Sequence, residues 1–557
     1  MRISTKDWFK SGTPWVWLNA GAVSISVIMV VGLLALIAVR GLEHFWPASV
    51  VEADLLSQDG SRRVIAGEIV QTEDVSAVQL IASGVKLPAD VEFAKRHLLK
   101  VGNRDVTGSD FAWALERTME NPRYPENIVV FERREWGNFY GYLEAVKKDG
   151  NIIATGDEAV TQLAELMERV LDIHDDIYAI EKGEIGSINH GIERLRLKER
   201  GLELDGYTKD TAPQKFAEIA AKRAEFDAQY EDIQARLANL YQQFSRDSLV
   251  ASTVDGHQVE IDLGKVVRFY QPNQMGLIEK VGFYFAKLWE FVADDPREAN
   301  TEGGIFPAIY GTVLMVLLMS VFVTPFGVVA AVYLREYAKQ GVLTRTIRIA
   351  VNNLAGVPSI VYGVFGLGFF IYFLGDEIDS LFFREAMPSP TFGTPGLLWA
   401  SLTLALLTVP VVIVATEEGL SRIPRSVREG SLALGATKFE TLWRIIIPMS
   451  SPAMMTGLIL AVARAAGEVA PLMLVGVVKL APSLPLDGNY PFLHLDQKFM
   501  HLGFHIYDVG FQSPNVEAAR PLVYATALLL VMVIGALNLA SVAIRNRLRE
   551  KYKALEV

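Results

Sequence analysis

Long runs of apolar residues divide this chain into membrane-spanning and soluble parts. The first run covers residues 15–39, and after a long polar interval five more lie at about residues 305–334, 349–374, 397–415, 453–478 and 522–544. An α-helix rises about 1.5 Å per residue, so each run is long enough to cross about 30 Å of hydrocarbon. The pattern predicts an α-helical polytopic membrane protein with six transmembrane helices.

Charged residues between the runs predict the orientation of the helices. Basic residues follow the second, fourth and sixth runs: Arg335, Lys339, Arg345 and Arg348; then Arg422, Arg425, Arg428, Lys438 and Arg444; then Arg545, Arg547, Arg549, Lys551 and Lys553. The loop after the third run is acidic. Because Lys and Arg are retained on the cytoplasmic side, both termini and residues 417–448 are predicted to be cytoplasmic, and residues 50–302 to lie outside. Since no cleavage site follows the first run, residues 1–49 are predicted to be an N-terminal segment with an uncleaved first helix.

The polar interval, residues 50–302, is predicted to be an inserted α+β domain. Short alternating runs near residues 63–70, 127–131, 257–263 and 266–270 are typical of strands. Two series of apolar residues at alternating spacings of three and four predict a coiled-coil hairpin at about residues 158–246, with a polar turn near Gly201 and Pro213 in the first turn of the second helix. Such a hairpin is either a partner-binding arm or a rigid spacer. Residues 277–292 resemble an amphipathic helix at the membrane surface.

The segment 417–448 has a helical pattern of its own between two membrane runs. Apolar residues alternate with charges, Gly435 permits a sharp turn, and Pro448 marks the start of the next run. The pattern predicts two short helices at an angle on the membrane face.

The spacing from Glu429 through Gly435 to Ile445-x-Ile447-Pro448 resembles the Glu-Ala-Ala loop of bacterial ABC importer permeases. Gly430 and Ser431 stand in place of the two alanines of that loop, and Ile447 in place of the usual leucine. The resemblance implies a coupling helix that docks in a groove of a separate ATPase subunit. The residues implied in this contact are Glu429, Gly435, Ala436, Lys438 and Phe439. An ordinary amphipathic interfacial helix is the alternative.

Two ionisable residues interrupt the fifth apolar run. Arg464 and Glu468 are four residues apart, so on a helix they share one face and can form an ion pair. Charges inside a membrane run usually mark a substrate path, although a buried structural ion pair is the competing interpretation. The planar guanidinium of an arginine suits an oxyanion because it donates two parallel hydrogen bonds.

The third run contains a break at Asn353-x-x-Gly356-x-Pro358-Ser359. A helix that begins near Pro358 would direct its N-terminal amides at an anion, as discontinuous transport helices do, or the proline is a simple kink. Gly363, Gly366 and Gly368 are expected to allow close helix packing.

This break and the segment Arg464-x-x-Gly467-Glu468-x-Ala470-Pro471 resemble the membrane subunits of bacterial phosphate ABC importers, most closely the PstA-type permeases. The resemblance covers residue 305 onward and implies a type I ABC importer permease fold. It implies a multi-pass protein of the bacterial inner membrane, with residues 303–557 as the permease domain and residues 50–302 in the periplasm.

The expected substrate is inorganic phosphate, bound by Arg464, Glu468, Asn353 and Ser359. The expected partners are a PstC-type sister permease, a PstB-type ATPase dimer, a periplasmic phosphate-binding protein and membrane lipid. The long insertion after the first helix departs from that family, and its role is not implied.

Composition excludes several other classes of function. The net charge of −11 gives no basic field for nucleic acid, and the absence of cysteine excludes disulfides and thiol chemistry. The sequence has no Gly-x-x-x-x-Gly-Lys-Ser/Thr loop, so ATP and Mg²⁺ are expected on the partner ATPase. We therefore expect a transporter subunit, not an enzyme, without catalytic or metal-binding residues and without a cofactor of its own. A permease for another oxyanion or small solute, or a membrane-anchored sensor, are the alternatives.

Overall fold

The computed structural model describes residues 5–56, 61–82, 84, 91–513 and 516–553. Among these residues, six helical stretches are long and apolar enough to cross a membrane: Thr13–Glu43, Phe306–Tyr337, Ser359–Phe382, Leu397–Arg422, Lys438–Ala466 and Ala519–Glu550. The chain is therefore a multi-pass membrane protein, as the apolar runs predicted. The region between the first two spans is rich in β-strands.

That inserted region starts with strands of two antiparallel sheets. After α1 (Thr5–Lys10) and α2 (Thr13–Glu43), the chain forms β1 (Val50–Leu56), β2 (Arg62–Ser76), α3 (Ala77–Ala82), β3 (Phe93–Lys100), α4 (Arg104–Thr107), β4 (Phe111–Leu115), β5 (Met119–Arg123), β6 (Val129–Arg133), β7 (Phe139–Lys148) and β8 (Asn151–Thr155). The first sheet has the strand order β4-β3-β2-β1-β5.

A long helical hairpin interrupts the second sheet. It consists of α5 (Asp157–Ala179), a π-helical segment (Ile180–Ile185), α6 (Gly186–Leu204) and α7 (Pro213–Phe244). A buried apolar cluster joins its two arms: Ile173, Ile177, Ile180, Ile188, Ile233 and Leu237. The chain then returns to the sheet as β9 (Ser248–Ser252), β10 (Gln258–Asp262) and β11 (Val266–Tyr270), in the order β10-β9-β7-β6-β11 with β8 beside β7. Coiled-coil geometry in this hairpin stays a prediction.

The two ends of the inserted region meet at the membrane part. The region closes with α8 (Leu277–Ala293), β12 (Pro296–Arg297) and β13 (Glu302–Gly303). Phe45, just after α2, contacts Phe291 of α8 with ring centroids 5.0 Å apart, and Ile305 is buried in the same apolar cluster. The side chain of Asn273 bonds the backbone of Val50 at both N–H (2.9 Å) and carbonyl (2.8 Å). The start and the end of the insertion are therefore held together.

The membrane part is a helical bundle around α13. Its elements are α9 (Phe306–Val332), α10 (Val342–Leu354), α11 (Ser359–Phe365), α12 (Asp376–Phe382), α13 (Leu397–Arg422), α14 (Arg425–Ala433), α15 (Lys438–Thr441), α16 (Ile447–Ala466), α17 (Leu472–Val475), α18 (Leu502–Tyr507) and α19 (Val516–Lys553). Gly327 of α9 and Gly457 of α16 lie directly against α13, where an added Cβ would come within 2.6 Å of Val412 and of Ala415. Glycine at these positions therefore allows α13 to pack between two neighbouring spans.

Two spans have limits that differ from the sequence prediction. The third begins at Ser359, because α10 ends at Leu354 and residues 355–358 separate it from α11. The fifth begins at Lys438 and its helix ends at Ala466, since residues 467–471 turn before the short α17. The break at residues 355–358 lies where the sequence predicted an interruption near Pro358. The break at residues 467–471 was not predicted as the end of a span, because apolar residues continue on both sides of it.

The helical hairpin contacts an outer loop of the membrane part. The Lys182 ammonium donates to the carbonyl of Pro482 (2.8 Å), and His190 Nε2 donates to the carbonyl of Tyr490 (2.7 Å). The Arg194 guanidinium lies over the Tyr490 ring, 5.4 Å from its centroid. The inserted region is thus attached both at its base and through the hairpin.

Candidate functional site

The segment between the fourth and fifth spans is a tight helix-turn-helix. Its turn has Gly435 at φ +88°, a conformation that favours glycine, between α14 and α15. A capping box starts α15, because Glu440 N–H donates to Thr437 Oγ1 (3.2 Å) and Thr437 N–H donates to the Glu440 carboxylate (2.9 Å). The buried hydroxyls of Ser431 and Thr441 lie 2.9 Å apart and join the two helices. Because α15 continues into the fifth span, only α14 is a separate short helix.

Ionic contacts fix this segment to the end of the second span. Arg428 pairs with Glu336 at 3.0 Å and also donates to the carbonyls of Leu420 (2.7 Å) and Ile423 (2.9 Å). The Lys438 ammonium donates to the carbonyl of Glu336. It also lies 4.5 Å from the centroid of the Tyr337 ring. Lys438 is therefore engaged within the chain.

The free face of the same segment is apolar. Leu434 is 90% exposed, and the exposed rings of Phe439 and Trp443 stack with centroids 6.3 Å apart and an interplanar angle of 7°. In the same segment Glu429 is exposed and Ala436 is half-buried. Exposed apolar side chains grouped on a polar segment are typical of a protein contact.

Arg464 and Glu468 form a pair at the end of the fifth span. The Arg464 Nε lies 3.6 Å from a Glu468 carboxylate oxygen, longer than a hydrogen bond, and both side chains are partly exposed. Arg464 is in the last turn of α16, where a cation is favoured by the helix dipole. Glu468 follows the end of this helix, so the pair is formed across a turn and not along one helix face, as the spacing had predicted.

Residues from the third span pack against the same turn. An added Cβ on Gly363 would lie 2.7 Å from Pro471 Cα, and one on Gly366 would lie 2.4 Å from Thr403 Oγ1, so both glycines allow close packing as predicted. Gly368 faces open space. Tyr362, one residue before Gly363, is buried in the same apolar cluster as Ala461 and Ala465 of the fifth span. α11 therefore lies beside the Arg464–Glu468 pair.

The other two predicted substrate residues lie at the break before α11. Asn353 is exposed in the last turn of α10, and Ser359 is the first residue of α11 with Pro358 as its N-cap. Among the described residues, neither side chain hydrogen bonds to Arg464 or Glu468. The predicted interruption of this segment is present, and Pro358 marks the start of the new helix.

No metal site is evident in the part of the chain that the structure describes, where no group of three or more His, Asp and Glu residues could hold an ion.

Sequence reasoning missed several residues of these sites. Glu336, Tyr337 and Tyr362 belong to other helices, so only the folded chain brings them to the site. Trp443, by contrast, lies four residues after Phe439, and this spacing alone indicates a shared helix face.

Comparisons with known proteins match the membrane part. A family described as "Binding-protein-dependent transport system inner membrane component" matches residues 323–553. Over 247 residues the chain is 36% identical to "Phosphate transport system permease protein PstA 1" of Mycobacterium tuberculosis (strain CDC 1551 / Oshkosh), covering 44% of this chain and 71% of that protein. It is 34% identical over 269 residues to "Phosphate transport system permease protein PstA" of Mycobacterium leprae (strain TN), covering 47% and 79%. A solved structure of the MetNI methionine ABC transporter is 18% identical, with a TM-score of 0.32, over 43% of this chain and 94% of that one.

Proposed function

Because this chain belongs to the PstA-type permeases of phosphate ABC importers, we propose that it moves inorganic phosphate across the cytoplasmic membrane with energy from a separate ATPase. The observation that carries the substrate is the partly exposed Arg464–Glu468 pair in the membrane part. Its 3.6 Å separation leaves the guanidinium free to donate to another oxyanion.

The pair also suggests how phosphate is distinguished from sulfate. At neutral pH phosphate carries at least one P–OH group, whereas sulfate carries none. Arg464 donates hydrogen bonds to the phosphate oxygens, and the Glu468 carboxylate accepts a hydrogen bond from the P–OH group. Sulfate offers the carboxylate only lone pairs, so the same site repels it.

The segment 417–448 is proposed as the coupling segment to the ATPase. The apolar contact is supplied by Leu434, Phe439 and Trp443. The residues that shape or border this contact are Glu429, Gly435 and Ala436. The contacts of Lys438 with Glu336 and Tyr337 support a structural role for this lysine in place of the docking role expected from sequence. Arg428 and Glu336 then transmit movement of the segment to the second span.

The remaining components follow from the family. We propose a PstC-type sister permease, a PstB-type ATPase dimer that binds ATP and Mg²⁺, and a periplasmic phosphate-binding protein. The chain itself is assigned no catalytic residue and no cofactor. Residues 50–302 are assigned to the periplasmic side of the inner membrane, and Asn353 and Ser359 to the substrate path near the break before α11.

The test is ATP-dependent uptake into proteoliposomes that contain this chain with its co-expressed permease, ATPase and binding-protein partners. Saturable phosphate uptake that Arg464→Ala abolishes, with the complex still assembled, supports the proposal. Glu468→Gln tests the selectivity more directly, because the amide of glutamine can donate a hydrogen bond to sulfate. This variant should lower the ratio of phosphate uptake to sulfate uptake. Uptake of sulfate or molybdate but not phosphate by the unaltered complex would favour a permease for another oxyanion. Normal phosphate uptake by Arg464→Ala would contradict the role of this arginine.

A further inference from the structure

The helix α8 exposes its apolar side and turns its later charges towards the protein. Its exposed stripe consists of Ile278 (89% exposed), Val281, Phe285 and Trp289 (72% exposed). These residues are spaced by three or four positions and therefore share one helix face. A helix whose outer face is in water has charged side chains on that face and apolar side chains against the protein, and α8 has the opposite arrangement.

Two charged side chains in the second half of α8, Lys287 and Glu290, are held by ion pairs. Glu290 is only 6% exposed and pairs with Arg268 of β11 at 3.1 Å and with Arg297 at 2.7 Å. Lys287 bonds both Glu290 (3.1 Å) and Glu132 of β6 (2.9 Å). Glu279, at the start of the helix, caps the N–H of Gly276 at 2.9 Å. These contacts fix the rotation of α8 about its axis, so the apolar stripe cannot turn inward.

The position of α8 identifies what lies against the stripe. Phe291 on its inner side packs with Phe45, which follows the first span, and with Ile305, which precedes the second. The exposed Trp46 lies beside Tyr284 of α8, with ring centroids 6.0 Å apart. The helix is therefore at the level where two membrane spans reach the bilayer surface, a level at which tryptophan and other aromatic residues are enriched.

We propose that α8 is an interfacial helix and that its Ile278, Val281, Phe285 and Trp289 stripe is immersed in the lipid surface on the side of the inserted region. The occupant is phospholipid, because the stripe carries no charged group for a polar partner and α8 packs where two membrane spans reach the bilayer surface. The ion pairs of Lys287 and Glu290 then hold both sheet strands β6 and β11 to a helix that rests on the bilayer. The inserted region is seated on the membrane by this helix, independently of what the permease transports.

Site-directed spin labelling tests this directly, because the chain contains no cysteine and needs no background substitutions. Single variants Ile278→Cys, Phe285→Cys and Trp289→Cys of the full chain are labelled with a nitroxide and reconstituted into phospholipid vesicles. Collision with oxygen, which concentrates in lipid, is compared with collision with a water-soluble nickel chelate. Ile28→Cys, exposed on the first span, is the lipid control, and Gln234→Cys, exposed on α7, is the water control.

The proposal requires all three labels to favour oxygen as position 28 does. Labels that favour the nickel chelate, as at position 234, would overturn it by placing the stripe in water. Labels protected from both reagents would overturn it by showing that protein covers the stripe. Repeating the measurement with the co-expressed partner chains should leave the three positions accessible to oxygen, and a switch to protection would assign the stripe to a partner chain instead.

Discussion

Arg428, in the segment after the fourth span, and Glu336, at the end of the second, are joined by an ion pair 3.0 Å long. The same guanidinium holds the carbonyls of Leu420 and Ile423, so one side chain connects the end of α13, the start of α14 and the second span. A force applied to α14 therefore reaches two spans at once.

This contact predicts a coupling defect without loss of assembly. Glu336→Gln keeps the shape of the side chain but removes its charge, so ATP hydrolysis should continue while phosphate uptake per ATP falls. A double-mutant cycle with Arg428→Gln should give an interaction energy of about 1–3 kcal/mol. Arg425→Gln is the matched control, since the described residues include no carboxylate within 4 Å of Arg425. Unchanged uptake per ATP in Glu336→Gln would contradict the transmission role.

Gly435 and Gly430 form a matched pair for testing the turn. Both have open space where a Cβ would be, but only Gly435 has a positive φ. Gly435→Ala should therefore cost about 1–2 kcal/mol of conformational strain in this turn, and a turn that relaxes in the free chain to relieve the strain should bind the ATPase about 5- to 30-fold more weakly. Gly430→Ala lies in a helix and should leave binding unchanged. Co-purification of the ATPase at graded concentrations measures both, and equal behaviour of the two variants would argue against a strained docking turn.

Leu434 is the most exposed apolar side chain of the proposed docking surface. Leu434→Asp places a charge where an apolar contact is expected, and loss of a central contact of this kind weakens binding by about 2 kcal/mol or more. Val342→Asp, at a comparably exposed aliphatic residue at the start of α10, should bind the ATPase normally. If the two variants retain the ATPase equally well, Leu434 is not part of the interface.

The base of the helical hairpin gives a prediction of pH dependence. Burial would raise the pKa of Asp247, but the hydrogen bond from Arg246 and the charges of Arg169 and Arg246 outweigh it and hold this pKa below its ordinary value. The contribution to stability is therefore present above the unfolded pKa of about 3.9 and is lost as the pH falls through the lower folded pKa.

Asp247→Asn isolates this contribution. The variant leaves the partly exposed Arg169 and Arg246 without their carboxylate partner and should lower the free energy of unfolding by about 1–3 kcal/mol near neutral pH. Its thermal midpoint and that of the unaltered chain, both in detergent, should converge below about pH 4. Glu218→Gln, at a fully exposed pair with Lys222, should show no comparable difference. If the difference in thermal midpoint between Asp247→Asn and the unaltered chain stayed constant from pH 7 to pH 3, the ionised Asp247 carboxylate would not be the source of this stability.

Much of the membrane architecture could be predicted from the sequence, because hydrocarbon imposes a length and a composition on every span. The first, second, fourth and sixth apolar runs all correspond to observed helices. The breaks at residues 355–358 and 467–471 were harder to locate as span limits, since both lie in apolar sequence where Gly and Pro either bend a helix or end it. The turn at Gly435 was predictable because only a few residue types accept that backbone conformation.

The contacts of the candidate sites depend on long-range packing, and here prediction from sequence was weaker. Arg464 and Glu468 were expected to pair, but the helix ends between them and the pairing is made by a turn. The expected contact of Lys438 with the ATPase stays a prediction, and the contacts of Lys438 with Glu336 and Tyr337, about a hundred residues earlier, were not predictable from the sequence. The spacing of apolar residues along α8 predicted an amphipathic helix. The inward direction of Lys287 and Glu290 was not predictable, because their partners lie on strands far away in sequence.

The cluster that joins Phe45, Phe291 and Ile305 has a consequence for how such a chain can arise. Since the chain leaves and rejoins the membrane bundle at this cluster, the insertion closes no new loop through the bundle and adds little to the entropy that folding of the bundle must overcome. A short bridge from residue 45 to residue 305 would keep this covalent path, but it would remove Phe291 from the cluster and the hairpin contacts to Pro482 and Tyr490. The inserted region is therefore separable at its base, while its hairpin also holds the outer loop of the membrane part.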